Sequence, residues 1–329
     1  MLAVYVDGPG PVEAVEYGRL PVPVIGPTDV LVRVRAVAAN PVDTFVRSGA
    51  YPTAMPRPFV IGRDLVGEVA DTGPGAARFA PGQRVWCNSL GHHGRQGSFA
   101  EYAAVAADRL YAAPDDIDPL DLVAAAHPAA SAWLALFRHG RLRYGDRLYV
   151  GGGAGNVGSA AVALAAAAGA TVVATARRDD HDRIRALGAA HVLDYRSEQL
   201  GEQLAECSPG GFDVYLDTSG HDDVAAAIGL LGLGGRLIAM VGLEQTPALP
   251  LGRLYTRDGS IVGFAISNAT PTDLAEAADG VVRLLRTTTW RPVITQRLPL
   301  ARGAHAHRLL ESGQVHGRLV LETWTAVAL

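Results

Sequence analysis

The sequence predicts an α/β protein: a β-rich first part, then a doubly wound parallel sheet, then a short tail. Three observations carry this. Val30-Leu-Val-Arg-Val-Arg-Ala-Val37 alternates with period 2, as does much of Leu65 to Val69, with Gly/Pro punctuation throughout. From about residue 120 onward the pattern changes to apolar strand candidates separated by helical segments. The first of those strands breaks into glycines and resumes at once as an alanine-rich helix, Ser159 to Ala168.

In chain order, the strand candidates are Leu148–Val150, Thr171–Ala176, His191–Leu193, Val214–Asp217, Arg236–Val241 and Ser260–Phe264. Apolar helical segments such as Val224 to Leu231 lie between them. Strands separated in this way form parallel sheets whose ligands bind across the carboxyl ends. Beyond Phe264 come a helix (272–286), an extended stretch (290–296), a second helix (304–312) and a last strand, Arg318–Glu322. That tail is too small to fold alone and is expected to return to the first domain. The boundaries read as 1–120 with 267–329 for one domain and 121–266 for the other.

The stretch Leu148-Tyr-Val-Gly-Gly-Gly-Ala-Gly-Asn-Val-Gly158 places Gly153, Gly155 and Gly158 on the G-x-G-x-x-G spacing. In that arrangement the first glycine makes a tight turn, the second admits a pyrophosphate, and the third lets helix and strand pack closely. Orphan N–H groups and the positive end of the helix dipole then face the phosphates. The spacing alone is weak evidence, but the strand before it and the helix and strand after it favour dinucleotide binding over a structural turn. The second strand bears on which dinucleotide. NAD sites usually carry Asp or Glu about 20 residues after the glycines. Here the strand ends Val173-Ala-Thr-Ala176 without an acid, and Arg177-Arg178 follow. Guanidinium groups bind a 2′-phosphate that a carboxylate would repel. The plainer reading is a solvated basic turn before Asp179 and Asp180; the missing acid favours NADPH.

Composition removes other classes. A hydrophobic fraction of 49% supports real cores, and a net charge of −4 with no basic tract argues against nucleic-acid binding. Two cysteines, Cys87 and Cys207, exclude a disulfide framework and a four-cysteine zinc lobe. Met1 to Asp7 reaches an acid before any long apolar run, so no signal peptide is read, and Ala160–Ala168 is too short to span a bilayer. A cytoplasmic protein is expected.

The chain also resembles the zinc-independent quinone oxidoreductases (zeta-crystallin-like) of the medium-chain dehydrogenase/reductase superfamily. The resemblance runs through Ala39 to Pro52 with its Asn-Pro-Val-Asp element, Ile61 to Gly67, Phe79 to Val85 and Gly97 to Tyr102. It continues through the glycine loop, Ala186 to Ala190, Asp217-Thr-Ser-Gly220 and Gly317 to Leu321. It implies a GroES-like β-rich catalytic domain built from both termini, a Rossmann domain between them and a cleft in the middle. Zinc-dependent relatives carry cysteine where this chain has Asn40, and His-Glu where it has Arg63-Asp64. A catalytic zinc needs about three N/S/O protein ligands, which Asn and Arg cannot rebuild. The adjacent pair His92-His93 reads as an exposed glycine-rich loop, so no metal is expected.

By that resemblance Asn40, Asp43 and Ser131 lie near the nicotinamide, with Tyr51 a compensating hydroxyl where many relatives have tyrosine in place of Phe45. Arg63, at a position often small and hydroxylated, either faces the substrate or pairs with Asp43 or Asp64. Asn40 reads equally as a turn residue bonded to its own backbone. The implied cofactor contacts are Gly152, Gly153, Ala154, Gly155, Asn156, Val157 and Gly158, Arg177 and Arg178 at the 2′-phosphate, and Tyr195 near the adenine. Thr218, Val241, Leu243 and Arg318 complete them. The family also pairs the edge strand Ser260–Phe264 across a two-fold axis, which implies a homodimer. Three activities stay open: NADPH-dependent reduction of a quinone or other activated carbonyl, reduction of α,β-unsaturated carbonyls or thioesters, and non-catalytic NADPH binding.

Overall fold

A computed structural model describes residues 1–323. The last residues of the expected catalytic domain, 324–329, lie outside the described residues. The chain forms two compact units, Met1–His127 with Ala269–Val282 and Arg291–Leu329, and Pro128–Asn268 with Arg283–Trp290.

The first unit opens with strands β1 (Leu2–Val6), β2 (Glu16–Arg19), β3 (Asp29–Ala39), β4 (Phe59–Val60), β5 (Leu65–Thr72), β6 (Arg84–Cys87), β7 (Tyr102–Ala106) and β8 (Tyr111–Ala112). Helix α1 (Pro41–Ser48) follows β3, and α2 (Pro119–Trp133) follows β8. The second unit holds β9 (Arg147–Gly151), α3 (Asn156–Ala167), β10 (Thr171–Ala176), α4 (His181–Ala186), β11 (His191–Asp194), α5 (Leu200–Cys207) and β12 (Phe212–Asp217). It continues with α6 (Val224–Gly229), β13 (Leu231–Ala239), α7 (Leu251–Tyr255) and β14 (Ser260–Gly263). The tail supplies α8 (Pro271–Thr287), β15 (Ile294–Pro299), α9 (Gly303–Glu311) and β16 (Arg318–Glu322).

In the first unit, β16 runs antiparallel to β3, with Leu319 opposite Ala39 and Glu322 opposite Ala36. The tail therefore completes the sheet begun by the first residues, in the order β15-β16-β3-β5-β6-β8 with β7 also on β3. Along β3 the side chains alternate in and out as far as Arg35, and then Ala36 to Ala39 are all buried. Small residues let β16 and the core close over this end of the strand, which delivers Asn40 into a dry environment.

The second unit is a six-stranded parallel sheet in the order β11-β10-β9-β12-β13-β14. This is the doubly wound order, with the first and fourth strands adjacent at its centre. Its apolar strands are covered on both faces, so they read as continuous hydrophobic runs. The helix expected over 224–231 stops at Gly229, and Leu231 already belongs to β13, which carries Gly232, Gly234 and Gly235 in its first half. The segment 283–290, expected with the tail, belongs to this unit, where the Trp290 indole N–H donates to Ser159 Oγ at 3.1 Å. Residues 119–139 are long and apolar enough to cross a membrane, but 83% of that stretch is buried inside the protein, as in a core helix.

Candidate active site

Two sets of residues carry the chemistry, one on each unit. The first forms where β3 ends and α1 begins. Asn40 is extended (φ −117°, ψ 148°) and caps the helix, with Pro41 at its first position. The Asn40 backbone N–H donates to Asp43 Oδ2 at 2.8 Å. Its side-chain amide is tied at both ends: Nδ2 donates to Ala38 O at 3.1 Å and Asp64 Oδ2 at 3.0 Å, while Oδ1 accepts from Arg318 at 2.8 Å. Asp64 Oδ1 accepts from Ala38 N at 2.9 Å, and the Arg318 guanidinium stands 4.0 Å from Asp64 Oδ2. The plainer reading of Asn40, bonding to nearby backbone, describes one of these three bonds; the other two are long-range.

Asp43 Oδ1 has no hydrogen-bond donor and lies 4.0 Å from Arg63 Nε. Arg63 also donates to Leu90 O at 3.3 Å. Asn40, Asp43, Arg63, Asp64 and Arg318 are each at most 2% exposed. Burial is the leading effect on all four charged groups. It pushes Asp43 up to about 7 against the opposing pull of Arg63, and Asp64 up to about 6 against Arg318. The same burial lowers both arginines, although the carboxyls opposite them resist it.

Tyr51 packs, partly buried, against the apolar core of the first unit. Two histidines given no role from the sequence join the cluster. His127 Nδ1 lies 3.3 Å from Asn88 O, and burial, then the Arg63 and Arg318 charges, push it down to about 3. His92 is 5% exposed rather than part of an exposed loop, and burial followed by Arg109 lowers it to about 4. His93 turns the chain at φ 51° and meets it edge-on, ring centroids 5.0 Å apart. A buried, neutral ring is invisible to a reading that treats a glycine-flanked His-His pair as loop. Ser131 is buried on α2 within the second unit. Arg318 spends its described bonds in the first unit, on Asn40 and Asp64.

On the second unit the glycine turn leaves β9. The left-handed residue is Gly152 (φ 70°), one position before the glycine assigned to the tight turn. Gly153 serves close approach instead: a Cβ there would lie 2.9 Å from the Ala174 Cβ. At Gly158 a Cβ would meet Gly152 O at 2.2 Å, so only glycine lets α3 start against the turn. Gly155 caps α3, and the N–H groups at Asn156, Val157 and Gly158 open the helix as an anion-binding end. Thr218 Oγ1 donates to Gly151 O at 2.7 Å and clasps the turn from β12.

Beside the turn, β10 ends at Ala176 with no acid in its last residues. Arg177 Nε bonds Asp180 Oδ2 at 2.7 Å. Arg183, which sequence reasoning left out, bonds Asp180 Oδ1 and reaches back to Ala154 O in the glycine loop, both at 3.0 Å. Asp180 thus holds two guanidiniums at the end of the turn. Arg178 is exposed, 4.0 Å from Asp194, and Tyr195 is half-exposed with Arg196 over its ring at 5.2 Å. Val241 and Leu243 are exposed apolar residues past β13.

The chain matches two family models: an alcohol dehydrogenase GroES-like domain over residues 26–115 and a zinc-binding dehydrogenase over residues 156–283. It is 29% identical to a quinone oxidoreductase of Rattus norvegicus over 89% of this chain and 88% of that protein. It superposes on the crystal structure of an NAD-dependent alcohol dehydrogenase with a TM-score of 0.86 and 30% identity, covering 98% of this chain and 100% of that one. A mycobacterial protein solved in complex with NADPH aligns with a TM-score of 0.84 and 25% identity over 98% and 99% of the two chains. A zinc ion does not fit the donors present. Among the described residues no three His, Cys, Asp or Glu side chains come together to hold one. In the cluster around Asn40, moreover, two guanidiniums already stand beside the two carboxyls.

Proposed function

This chain belongs to the medium-chain dehydrogenase/reductase superfamily and is an NAD(P)H-dependent oxidoreductase; from that premise we propose that it uses NADPH to reduce quinones or other activated carbonyls without a metal. The observation that carries the cofactor choice is the pair Arg177 and Arg183, held over the glycine turn by Asp180 where an NAD site would present an acid. When bound, the nicotinamide supplies the hydride.

In this reading the turn from Gly152 to Gly158 presents backbone N–H groups to the pyrophosphate. Arg177, Arg178 and Arg183 take the 2′-phosphate, Tyr195 flanks the adenine, and Thr218, Val241 and Leu243 border the rest. Arg318 acts through Asn40 rather than on the cofactor. Asn40 has both amide donors committed, so its role is to lock Asp64 and Arg318 together. Arg63 and Arg318 impose a positive field that favours anionic charge growing on an acceptor oxygen. Asp43, whose carboxyl burial pushes up to about 7, takes up and gives a proton near neutral pH, and its Oδ1 accepts no hydrogen bond, which suits it to supply the proton that must follow the hydride. Tyr51 is the hydroxyl that the first unit offers the acceptor.

The test is a titration of NADPH and NADH against the wild type and an Arg177→Ala/Arg183→Ala variant. Losing charge-assisted bonds to the 2′-phosphate should weaken NADPH about tenfold or more and leave NADH nearly unchanged. Equal wild-type affinity for both cofactors would remove the NADPH assignment.

A further inference from the structure

Beneath the glycine turn, the two central strands place tyrosines where a parallel sheet ordinarily carries Val, Ile or Leu. Tyr149 on β9 and Tyr215 on β12 are direct neighbours in register, with ring centroids 4.2 Å apart. Both are buried. Tyr215 OH donates to Asp222 Oδ2 at 2.9 Å. Tyr149 OH also lies 3.3 Å from Thr175 Oγ1 at the end of β10. Thr175 Oγ1 in turn accepts the Gly152 N–H at 3.3 Å, and the Thr175 carbonyl accepts from Gly153 N at 2.8 Å.

A carboxylate only accepts, so Tyr215 is the donor to Asp222. The Thr175 oxygen accepts the Gly152 N–H and meets the Tyr149 hydroxyl, either of the two hydroxyls giving the proton. Asp222 lies close to the end of β9, where a Cβ at Gly151 would come within 2.8 Å of its Oδ2. The peptide so held is Gly152, the one left-handed residue of the turn.

We infer that Thr175 and Tyr149, packed against the Tyr215–Asp222 pair, form a buried hydroxyl relay whose task is to position the Gly152 peptide, and with it the phosphate-binding turn, before the dinucleotide arrives. The inference rests on the reading of this turn as the cofactor site. A turn already fixed in its bound shape loses less freedom on binding. The benefit falls on the pyrophosphate, which NADH and NADPH share, so it is the same for both.

The experiment compares Thr175→Val, an isostere without the hydroxyl, with Thr175→Ser, which keeps it, and with Tyr149→Phe, which keeps the ring. Dissociation constants for NADPH and NADH, kcat at saturating cofactor and melting temperature are measured for each. Thr175→Val and Tyr149→Phe should each weaken both cofactors by the same factor, about fivefold or more. Thr175→Ser should bind as the wild type does, and kcat at saturation should hold in all three. Because the groups act in series, the double variant should lose less than the product of the two single losses. Lower melting temperatures with both dissociation constants unchanged would overturn the inference, making the relay a matter of fold stability. A loss confined to NADPH would overturn it too, by moving the effect to the 2′-phosphate. A wild type that binds neither dinucleotide would instead overturn the cofactor reading itself.

Discussion

Replacing Arg63 by Met removes one charge from a buried pair and keeps most of the side-chain volume. Two unit charges at the observed 4.0 Å attract by about 4 kcal/mol at an effective dielectric near 20. Losing that attraction is enough to keep Asp43 protonated well into the alkaline range, because one pKa unit corresponds to about 1.4 kcal/mol. In the wild type the Asp43 carboxyl is pushed up to about 7. Below that value both proteins carry it neutral, and the variant escapes the cost of burying a guanidinium, so the two should be of similar stability at pH 6. Above 7 the folded wild type releases its proton as the unfolded chain has already done, and its stability stops falling on this account. The folded variant keeps the proton, so its stability continues to fall by about 1.4 kcal/mol per pH unit. At pH 9 the gap is about 2.7 kcal/mol, an apparent melting point about 5 °C lower or more. Thermal melts of both proteins from pH 6 to 9, run beside kcat/KM at pH 7, provide the assay. A stability difference that does not change with pH would refute the coupling of Arg63 to Asp43. Unchanged stability with kcat/KM lowered tenfold would place the guanidinium on the substrate instead.

Further expectations follow from other sites. His307 is fully buried with neither ring nitrogen hydrogen-bonded, and burial, then the Arg47 charge, lowers it to about 4. The unfolded chain takes up this proton near 6.5 and the folded one does not, so stability is lost as pH falls from 6.5 toward 4, by at most about 3 kcal/mol. His307→Leu should flatten the melting profile over that interval, whereas an equally steep acid limb in the variant would clear His307 of the effect. Asp180→Asn frees Arg177 and Arg183 from their shared carboxylate and removes a negative charge beside the 2′-phosphate, so NADPH should gain on NADH in competitive titration; a shift toward NADH would show that Asp180 serves the ribose. β14 is the edge of the six-stranded sheet, with Ile261 and Val262 half-exposed. An open apolar edge is a liability that a two-fold partner removes, so light scattering should give twice the chain mass, and a monomer mass at micromolar concentrations would reject the pairing.

The second unit was the more legible because each of its signals is local. Thr171–Ala176 forms a strand over the residues expected, and the helix expected from Ser159 is there, opening three residues earlier at Asn156. The mistaken limits arose where apolar residues run without a break in period: Val224 to Leu231 reads as one helix, yet Gly229 ends it and the chain turns into β13. The polar cluster was legible at Asn40, Asp43, Arg63 and Asp64 but not in its histidines or its wiring. Asn40 meets Arg318 across 278 residues of chain. No local pattern states that both amide donors of Asn40 are taken, or that Arg63 lies beside Asp43 rather than on a surface. Arg183 was overlooked for a related reason, since an arginine among Asp and Arg on a short helix looks like a solvated face until its bond to Ala154 is seen. Tyr149 and Tyr215 looked like ordinary strand residues, and only the register of β9 with β12 brings their rings together.

Metal-free reduction by NADPH is tested most directly by following NADPH oxidation with purified protein of known zinc content, before and after treatment with a chelator. The acceptors are a quinone, an enone and an enoyl thioester. NADPH should be consumed with the quinone or another activated carbonyl, faster than NADH, at a rate the chelator does not change, by protein holding far less than one zinc per chain. Turnover of the thioester alone would move the substrate class to the enoyl reductases while leaving the cofactor and the metal-free site in place. Activity abolished by the chelator and restored by zinc, or no NADPH consumption with any acceptor, would contradict it.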